Sequence, residues 1–180
     1  QTMYVSAGFF ELIGVAPVLG RTITADDDRR GGGSQGPVAV ISHAYWERAF
    51  GRDPRVLGRT VLVERVPFTI VGVRPRSFFG PEVGRAVSVA LPFGTEPLLR
   101  GSNSALDERR IWWLNVLIRR RVDQTEAQVA AALRAMQPAI REATRTPNPD
   151  YLKEPLGVVS AEQGRSALRG RYRDALWVLM

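Results

Sequence analysis

The sequence predicts an α+β fold, and three stretches carry that prediction. Two runs rich in β-branched and aromatic residues, "RTVLV" and "PFTIVGV", lie three residues apart, as a β-hairpin requires. A short apolar strand, "PVAVIS", runs directly into the helical "HAYWERAF". Further on, "VDQTEAQVAAALRAMQPAIREAT" places Val129, Leu133, Met136 and Ile140 on one stripe at helical spacing.

In chain order, residues 6–14, "SAGFFELIG", read as a short helix. Ser6 is its N-cap, Phe9, Phe10, Leu12 and Ile13 are its apolar residues, and Gly14 suits the position just past its end. "VAPVLGRTIT" is extended and turn-rich. "ADDDRRGGGSQG" is a polar, Gly-rich loop of the kind that tolerates insertion. The strand "PVAVIS" is bounded by Pro37 and Ser42, and Ser42 caps the helix that Gly51 ends. "GRDPRVLG" is a turn with an Asp-Pro step. The hairpin turn, Glu64-Arg65, lacks the usual Asn-Gly or Asp-Gly, which leaves its type open. "RPRSFFGPEVGRA" reads as a loop, "VSVALPF" as a strand ending at Pro92, and residues 95–110 as a polar, mobile segment.

The second half changes character. In "WWLNVLIRRR", Trp112, Leu114, Val116 and Ile118 point one way, as in a half-buried strand. The long helix follows, with Asp123 and Glu126, or Thr125 and Gln128, as its capping box. Pro138 falls on its solvent side, where a mild kink is tolerable. "PLGVVSA" reads as a returning strand, so that strand, helix and strand make one β-α-β unit.

Composition narrows the chemistry. The chain has 180 residues, enough for a domain that buries a core without covalent staples. It has no cysteine, which excludes disulfides, thiolate metal sites and cysteine nucleophiles. The net charge is +7, carried almost wholly by arginine, with Lys153 the only lysine. A basic balance fits binding to nucleic acid or an anionic surface. The arginines are spread along the chain, however, with denser groups at Arg119–Arg121 and Arg165–Arg173, and an arginine-for-lysine preference explains that spread better.

The motifs that suggest chemistry fail on context. "GGGSQG" at 31–36 satisfies G-x-G-x-x-G, but a charged loop precedes it and a strand follows, the reverse of a dinucleotide site. There is no P-loop pattern, so the chain itself binds no ATP in that way. Asp26, Asp27 and Asp28 are adjacent and cannot all face one ion, so they read as a solvated acidic turn, with no metal site and no cofactor expected. His43, the only histidine, is the one possible base of a Ser-His-Asp arrangement; beside the cap Ser42, an exposed or capping role is commoner. No G-x-S-x-G is present, and no catalytic residue is expected. Strand aromatics such as Trp112 and Trp113, and Trp46 on its helix, read as core residues rather than base-stacking platforms.

The last stretch, "GRSALRGRYRDALWVLM", ends in an unbroken apolar run, Ala175–Met180. Arg165, Arg169, Arg171 and Arg173 precede that run, and Trp177 lies within it. Arginine and tryptophan at the edge of an apolar segment suit a membrane interface, and equally an amphipathic helix docked on its own domain. No apolar run reaches the length of a complete membrane span, no signal peptide is visible, and both ends look like cuts.

Taken in order, "VSAGFFELIGVAPVLGRTIT", "VAVISHAYWERAFGRDPRVLGRTVLVERVPFTIVGVRPRSFFG" and "VALPF" resemble the extracytoplasmic core domain of MacB-like ABC transporter permeases, the FtsX-related family. The resemblance covers most of residues 5–98, and "WLNVLIRRRVDQTEAQVAAALRAM" looks like the strand and helix that follow in that family. Glu64-Arg65 stands where Asn-Gly is usual, and Asp123-Gln124 where a Gly-containing turn is usual.

The resemblance implies a small α/β extension subdomain, mostly residues 1–98, containing the hairpin. A mobile connection follows at 99–111 and a porter-like strand-helix-strand at 112–160; a further, N-terminal strand of the porter-like part would precede residue 1. Residues 161–180 would be a helix leading into a truncated membrane segment, with Arg165, Arg169, Arg171, Arg173 and Trp177 next to the membrane. The implied function is non-catalytic: a rigid lever, packed through Trp112, Leu114, Val129, Leu133 and Met136, that couples ATP-driven motion of membrane helices to export or periplasmic events. ATP would bind a separate domain or subunit. The implied partners are membrane helices of the same polypeptide, an ABC ATPase, a second permease copy and a periplasmic adaptor, with no nucleic acid. The implied place is the periplasmic side of the bacterial inner membrane. The rival readings are a free-standing basic binding module for nucleic acid or anionic surfaces, and a hydrolase centred on Ser42 and His43.

Overall fold

The computed structural model of the chain describes residues 1–108, 111, 113–144, 156–161 and 164. Residues 1–102, with 161 and 164, form one unit, and the described residues of 103–160 form a second.

The first unit is built on a mixed sheet of six strands: β1 (Thr2–Val5), β2 (Leu19–Gly20), β3 (Val38–Ile41), β4 (Thr60–Val63), β5 (Val66–Val73) and β6 (Val89–Pro92). Their order is β1-β6-β3-β5-β2, with β4 also paired to β5. β1 and β6 run parallel, as do β3 and β5; the other pairs are antiparallel. The long β5 takes β3 along one edge, and β4 and then β2 along the other. The sheet with its helices is the α+β architecture read from the sequence.

Among the described residues the first unit also carries α1 (Phe9–Leu12), α2 (His43–Phe50) and α3 (Glu96–Arg100), and the second unit carries α4 (Glu126–Thr144). Alternation along the strands divides the core into two. On one face, Ala39, Ile41, Phe68, Ile70, Val89 and Leu91 pack under Tyr45, Trp46 and Phe50 of α2. On the other, Val5, Val40 and Ala90 pack against Phe10, Phe9 and Ile13 around α1, with Phe78.

A β-bulge sets this division. Ala39 pairs with Ile70 but Val40 with Gly72, so Val71 is the extra residue. The bulge shifts the two-residue period by one, which returns Val73 to the α2 face beside Ile70. Gly72 and its partner Gly20 permit the close approach of β2. A Cβ on Gly72 would lie 2.0 Å from the Arg21 carbonyl oxygen, and one on Gly20 2.2 Å from that of Val71.

Several expectations hold. Ser42 Oγ accepts from the Tyr45 N–H at 3.1 Å and caps α2, and Gly51, at φ 56°, ends it. Asp53 caps a 3-10 turn over Pro54–Val56. The hairpin closes on Glu64 and Arg65, both at positive φ (49° and 71°), so Val66 belongs to the strand and the loop has two residues.

Other expectations are corrected. Ser6 does not cap α1; residues 7–8 form a turn that delays the helix to Phe9, and Gly8, at φ 79° in the left-handed region, holds the cap position without a side-chain bond. Residues 95–110, read as a polar, mobile segment, begin with regular structure: α3 is followed by a 3-10 turn over Gly101–Asn103, and Thr95 and Glu96 are buried.

In the second unit, the described residues 113–121 form no strand, and Leu114, Val116 and Ile118 are exposed, Val116 to 81%. An alternating pattern becomes a strand only where a neighbouring strand accepts its backbone bonds, and among the described residues no strand pairs with this segment. Trp112 lies outside the described residues. Residues 156–161 form no strand either; Leu156 N–H donates to Gln137 Oε1 at 2.9 Å. Of the β-α-β unit, the described residues show the helix. Its capping box is Thr125 with Gln128: Thr125 N–H donates to Oε1 at 2.7 Å and Gln128 N–H to Oγ1 at 3.2 Å. Pro138 lies exposed within α4. Val129, Leu133 and Ile140 are half-buried, but Met136 is 60% exposed and Gln137 takes its inward place.

Candidate functional site

The acidic and Gly-rich loop, residues 25–36, is a clamp rather than a solvated turn. Asp27 is 2% exposed. Its carboxylate accepts from Arg21 Nη1 at 2.5 Å and Nη2 at 3.0 Å, and from Thr24 N–H at 2.8 Å and Oγ1 at 2.7 Å. Burial disfavours its charge, but the bonds from Arg21 and Thr24 outweigh burial and hold its pKa below the usual carboxylate value. Asp28 bridges two elements: its oxygens accept from Ala7 N–H at 2.9 Å, ahead of α1, and from Gly94 N–H at 2.8 Å, beyond β6. Asp26 accepts from Ser34 N–H at 2.9 Å and Oγ at 2.7 Å, which folds the glycine run back. Gly31 N–H closes the loop on Gly94 O at 2.8 Å. Each carboxylate points to a different partner. Among the described residues no cluster of His, Asp or Glu suits a metal ion.

Ser42 and His43 are not brought together as a nucleophile and base. Ser42 Oγ is committed to the cap of α2. His43 Nδ1 lies 4.0 Å from Glu47 Oε2, and its ring meets Trp46 edge-on with centroids 5.5 Å apart. Trp46 donates its indole N–H to Asp53 O at 2.8 Å and packs on the core, so it is not a free stacking platform. Arg165, Arg169, Arg171, Arg173 and Trp177 lie outside the described residues. Among the described residues no helix is long and apolar enough to cross a membrane.

Two features escaped sequence reasoning. Arg74, just past β5, is 1% exposed, and its Nη2 donates to Val87 O. Its Nε and Nη1 have no hydrogen-bond partner, and its guanidinium lies 5.1 Å from the Phe78 ring centroid. Burial alone lowers its pKa to about 10. Nothing in "VRPRS" separates this arginine from the exposed Arg76 two residues on. The second feature is a row of arginines at the corner between α2 and β4. Arg48 lies against Tyr45 and Arg59 against Phe50, at 5.6 and 5.0 Å from the ring centroids. The arrangement offers a rigid, basic outer surface on a packed sheet.

The profile of the MacB-like periplasmic core domain family matches residues 1–136. The chain is 31% identical over 91 residues to the probable export ATP-binding/permease protein MacB of Pseudomonas entomophila, an alignment covering 51% of this chain and 13% of that protein. It is likewise 31% identical over 91 residues, with the same coverage, to the probable syringafactin export ATP-binding/permease protein SyfD of Pseudomonas syringae. Thus the chain spans a small part of the relatives it matches. Among solved structures, the periplasmic region of MacB from Actinobacillus actinomycetemcomitans aligns with a TM-score of 0.50 at 16% identity, over 84% of this chain and 63% of that one; this likeness bears on the fold alone.

Proposed function

We propose a function from this premise: the chain belongs to the MacB-like periplasmic core domain family. It serves as the extracytoplasmic part of an ABC-type permease in a bacterial inner membrane. There it passes ATP-driven motion of membrane helices to export or other periplasmic events, and itself catalyses nothing. The family match over residues 1–136 carries this reading. The names of the relatives, export ATP-binding/permease proteins, support the ABC setting. The ATPase, a second permease copy and a periplasmic adaptor are the partners the reading calls for, and Arg165, Arg169, Arg171, Arg173 and Trp177 are its membrane-proximal residues.

The structure supports a mechanical role through its construction. A lever must transmit displacement without deforming, and a close-packed core has little compliance. The central strands β3 and β6 are buried on both faces, and the Asp28 bridge ties the α1 end of the unit to the end of β6. The uncommitted carboxylate and nucleophile needed for hydrolysis are not assembled at Ser42 and His43.

The test uses the full-length gene product. This chain has no cysteine, so Glu11→Cys, at an exposed position of α1, adds a label site whose signal is read against the unsubstituted parent. A membrane-impermeant maleimide should label it in spheroplasts with an intact cytoplasmic membrane; labelling only after lysis would reject the extracytoplasmic reading. A spin label at the same cysteine should then report a different distance distribution in the paired permease with and without hydrolysable ATP. Identical distributions would leave the domain outside the membrane but reject coupling.

A further inference from the structure

Four arginines line the corner where α2 gives way to β4. Arg48 lies in the last turn of α2, Arg52 follows Gly51, Arg55 sits in the 3-10 turn and Arg59 precedes β4. All four are exposed. The rings beneath Arg48 and Arg59, Tyr45 and Phe50, meet edge-on with centroids 6.0 Å apart. Arg48, Tyr45, Phe50 and Arg59 therefore form one ladder with a guanidinium at each end. A guanidinium held over an aromatic face can still donate its N–H groups to a carboxylate or phosphate in two-point fashion.

Residues 47–59 carry four arginines against two carboxylates, Glu47 and Asp53. Arg55 pairs with Asp53 at 3.1 Å; among the described residues Arg48, Arg52 and Arg59 have no carboxylate in ion-pair range. The helix dipole accounts for Arg48 alone, because its influence fades within the last turn. Arg52 is held at φ 61°, where glycine would sit without strain.

We propose that this face docks an acidic segment of a partner protein, with Asp or Glu carboxylates seated on the outward edges of Arg48 and Arg59. Charge complementarity favours an anionic partner. The pattern favours a protein over a bilayer. Glu47 and Asp53 stand among the arginines; a continuous plane of anionic headgroups would meet them head-on, whereas discrete side chains fit between them. Trp46, the aromatic that a membrane surface would draw on, is bonded to Asp53 and packed on the core. The proposal stands independently of ATP coupling.

The test measures binding of a fluorescein-labelled polyglutamate peptide to the whole chain by anisotropy at low salt. The double variant Arg48→Gln/Arg59→Gln should lose about tenfold in affinity. Arg29→Gln/Arg85→Gln, which removes equal charge elsewhere, should change it by less than about twofold. Arg48→Lys/Arg59→Lys keeps the charge but not the fork, and should lose about threefold; it also carries the test should the glutamine pair unfold. Equal losses in the patch and control variants, or no binding by the parent chain, would overturn the proposal. So would binding to phosphatidylglycerol vesicles that needs the same arginines and is not competed by the peptide, which would assign the face to lipid.

Discussion

Asp27 and Arg74 show opposite fates for a buried charge. Asp27 has a partner for each oxygen, and removing its charge leaves Arg21 and Thr24 facing a neutral amide. Asp27→Asn should destabilise the fold by about 2–3 kcal/mol, read as a shift in the urea midpoint. The Asp27 contribution should be present at neutral pH and fade as pH falls below the ordinary carboxylate range, since its folded pKa is the lower one. Among the described residues Arg74 has no counter-ion, so Arg74→Met should stabilise by about 1–3 kcal/mol, read in the same way.

The alkaline limb separates two further residues. Burial, then the charge of Glu96, raises the Tyr4 pKa from 10.0 to about 12, so folding favours its neutral form. That contribution is complete below pH 10 and is lost as pH rises toward 12. Arg74 has a depressed folded pKa, about 10, so the unfolded chain binds more protons above that pH and its penalty shrinks as pH rises. Relative to the parent chain, Tyr4→Phe should therefore gain stability from pH 10 to 12, and Arg74→Met should lose its advantage. Urea melts of each variant across that window check both signs.

At the scale of elements, the hairpin was legible and its turn chemistry was not. The residues of β4 and β5 carry their own signal, because β-branched runs with close spacing have few other uses. Glu64 and Arg65 give no turn signal, yet both adopt positive φ, a conformation that costs L-residues about 1–2 kcal/mol each. Glu64→Asn/Arg65→Gly should raise stability by about 1–2 kcal/mol in thermal melts, with the strands unchanged. Conversely, "TMYV" gave no strand signal. β1 exists because β6, far along the chain, offers it a parallel edge. The alternation of Leu114, Val116 and Ile118 is the inverse case, a strand pattern that pairs with no strand among the described residues.

At the scale of the whole molecule, the two units differ in how their backbones are held. The first has a six-stranded sheet with two packed faces; the described part of the second has α4 and irregular chain. Limited trypsin digestion of the intact chain should cut first at Arg119–Arg121, where no sheet protects the backbone, and leave a fragment that includes residues 1–100. Early cuts within β3 to β5, read by mass spectrometry, would show that the sheet is not the stable part.

The sequence by itself determined the elements whose signals are local: the cap at Ser42, the stop at Gly51, the strands β3 to β6, and a family resemblance spread over ordered short segments. It also limited the chemistry, since an absent cysteine is a fact of composition. The tertiary structure alone decided which charges are buried and what they meet. "DDD" reads as a solvated turn because adjacent aspartates repel and seek water. It became a clamp because the fold carries Arg21, Ala7, Ser34 and Gly94 to three different carboxylates. The same holds for the arginine ladder. The spacing of Arg48 and Tyr45 lies within one helix, but Arg59 reaches Phe50 only because the turn through Asp53 folds β4 back against α2. Local patterns fix conformation through steric and hydrogen-bonding preferences a few residues in range. Charge, burial and surface recognition depend on neighbours that only the folded chain brings together.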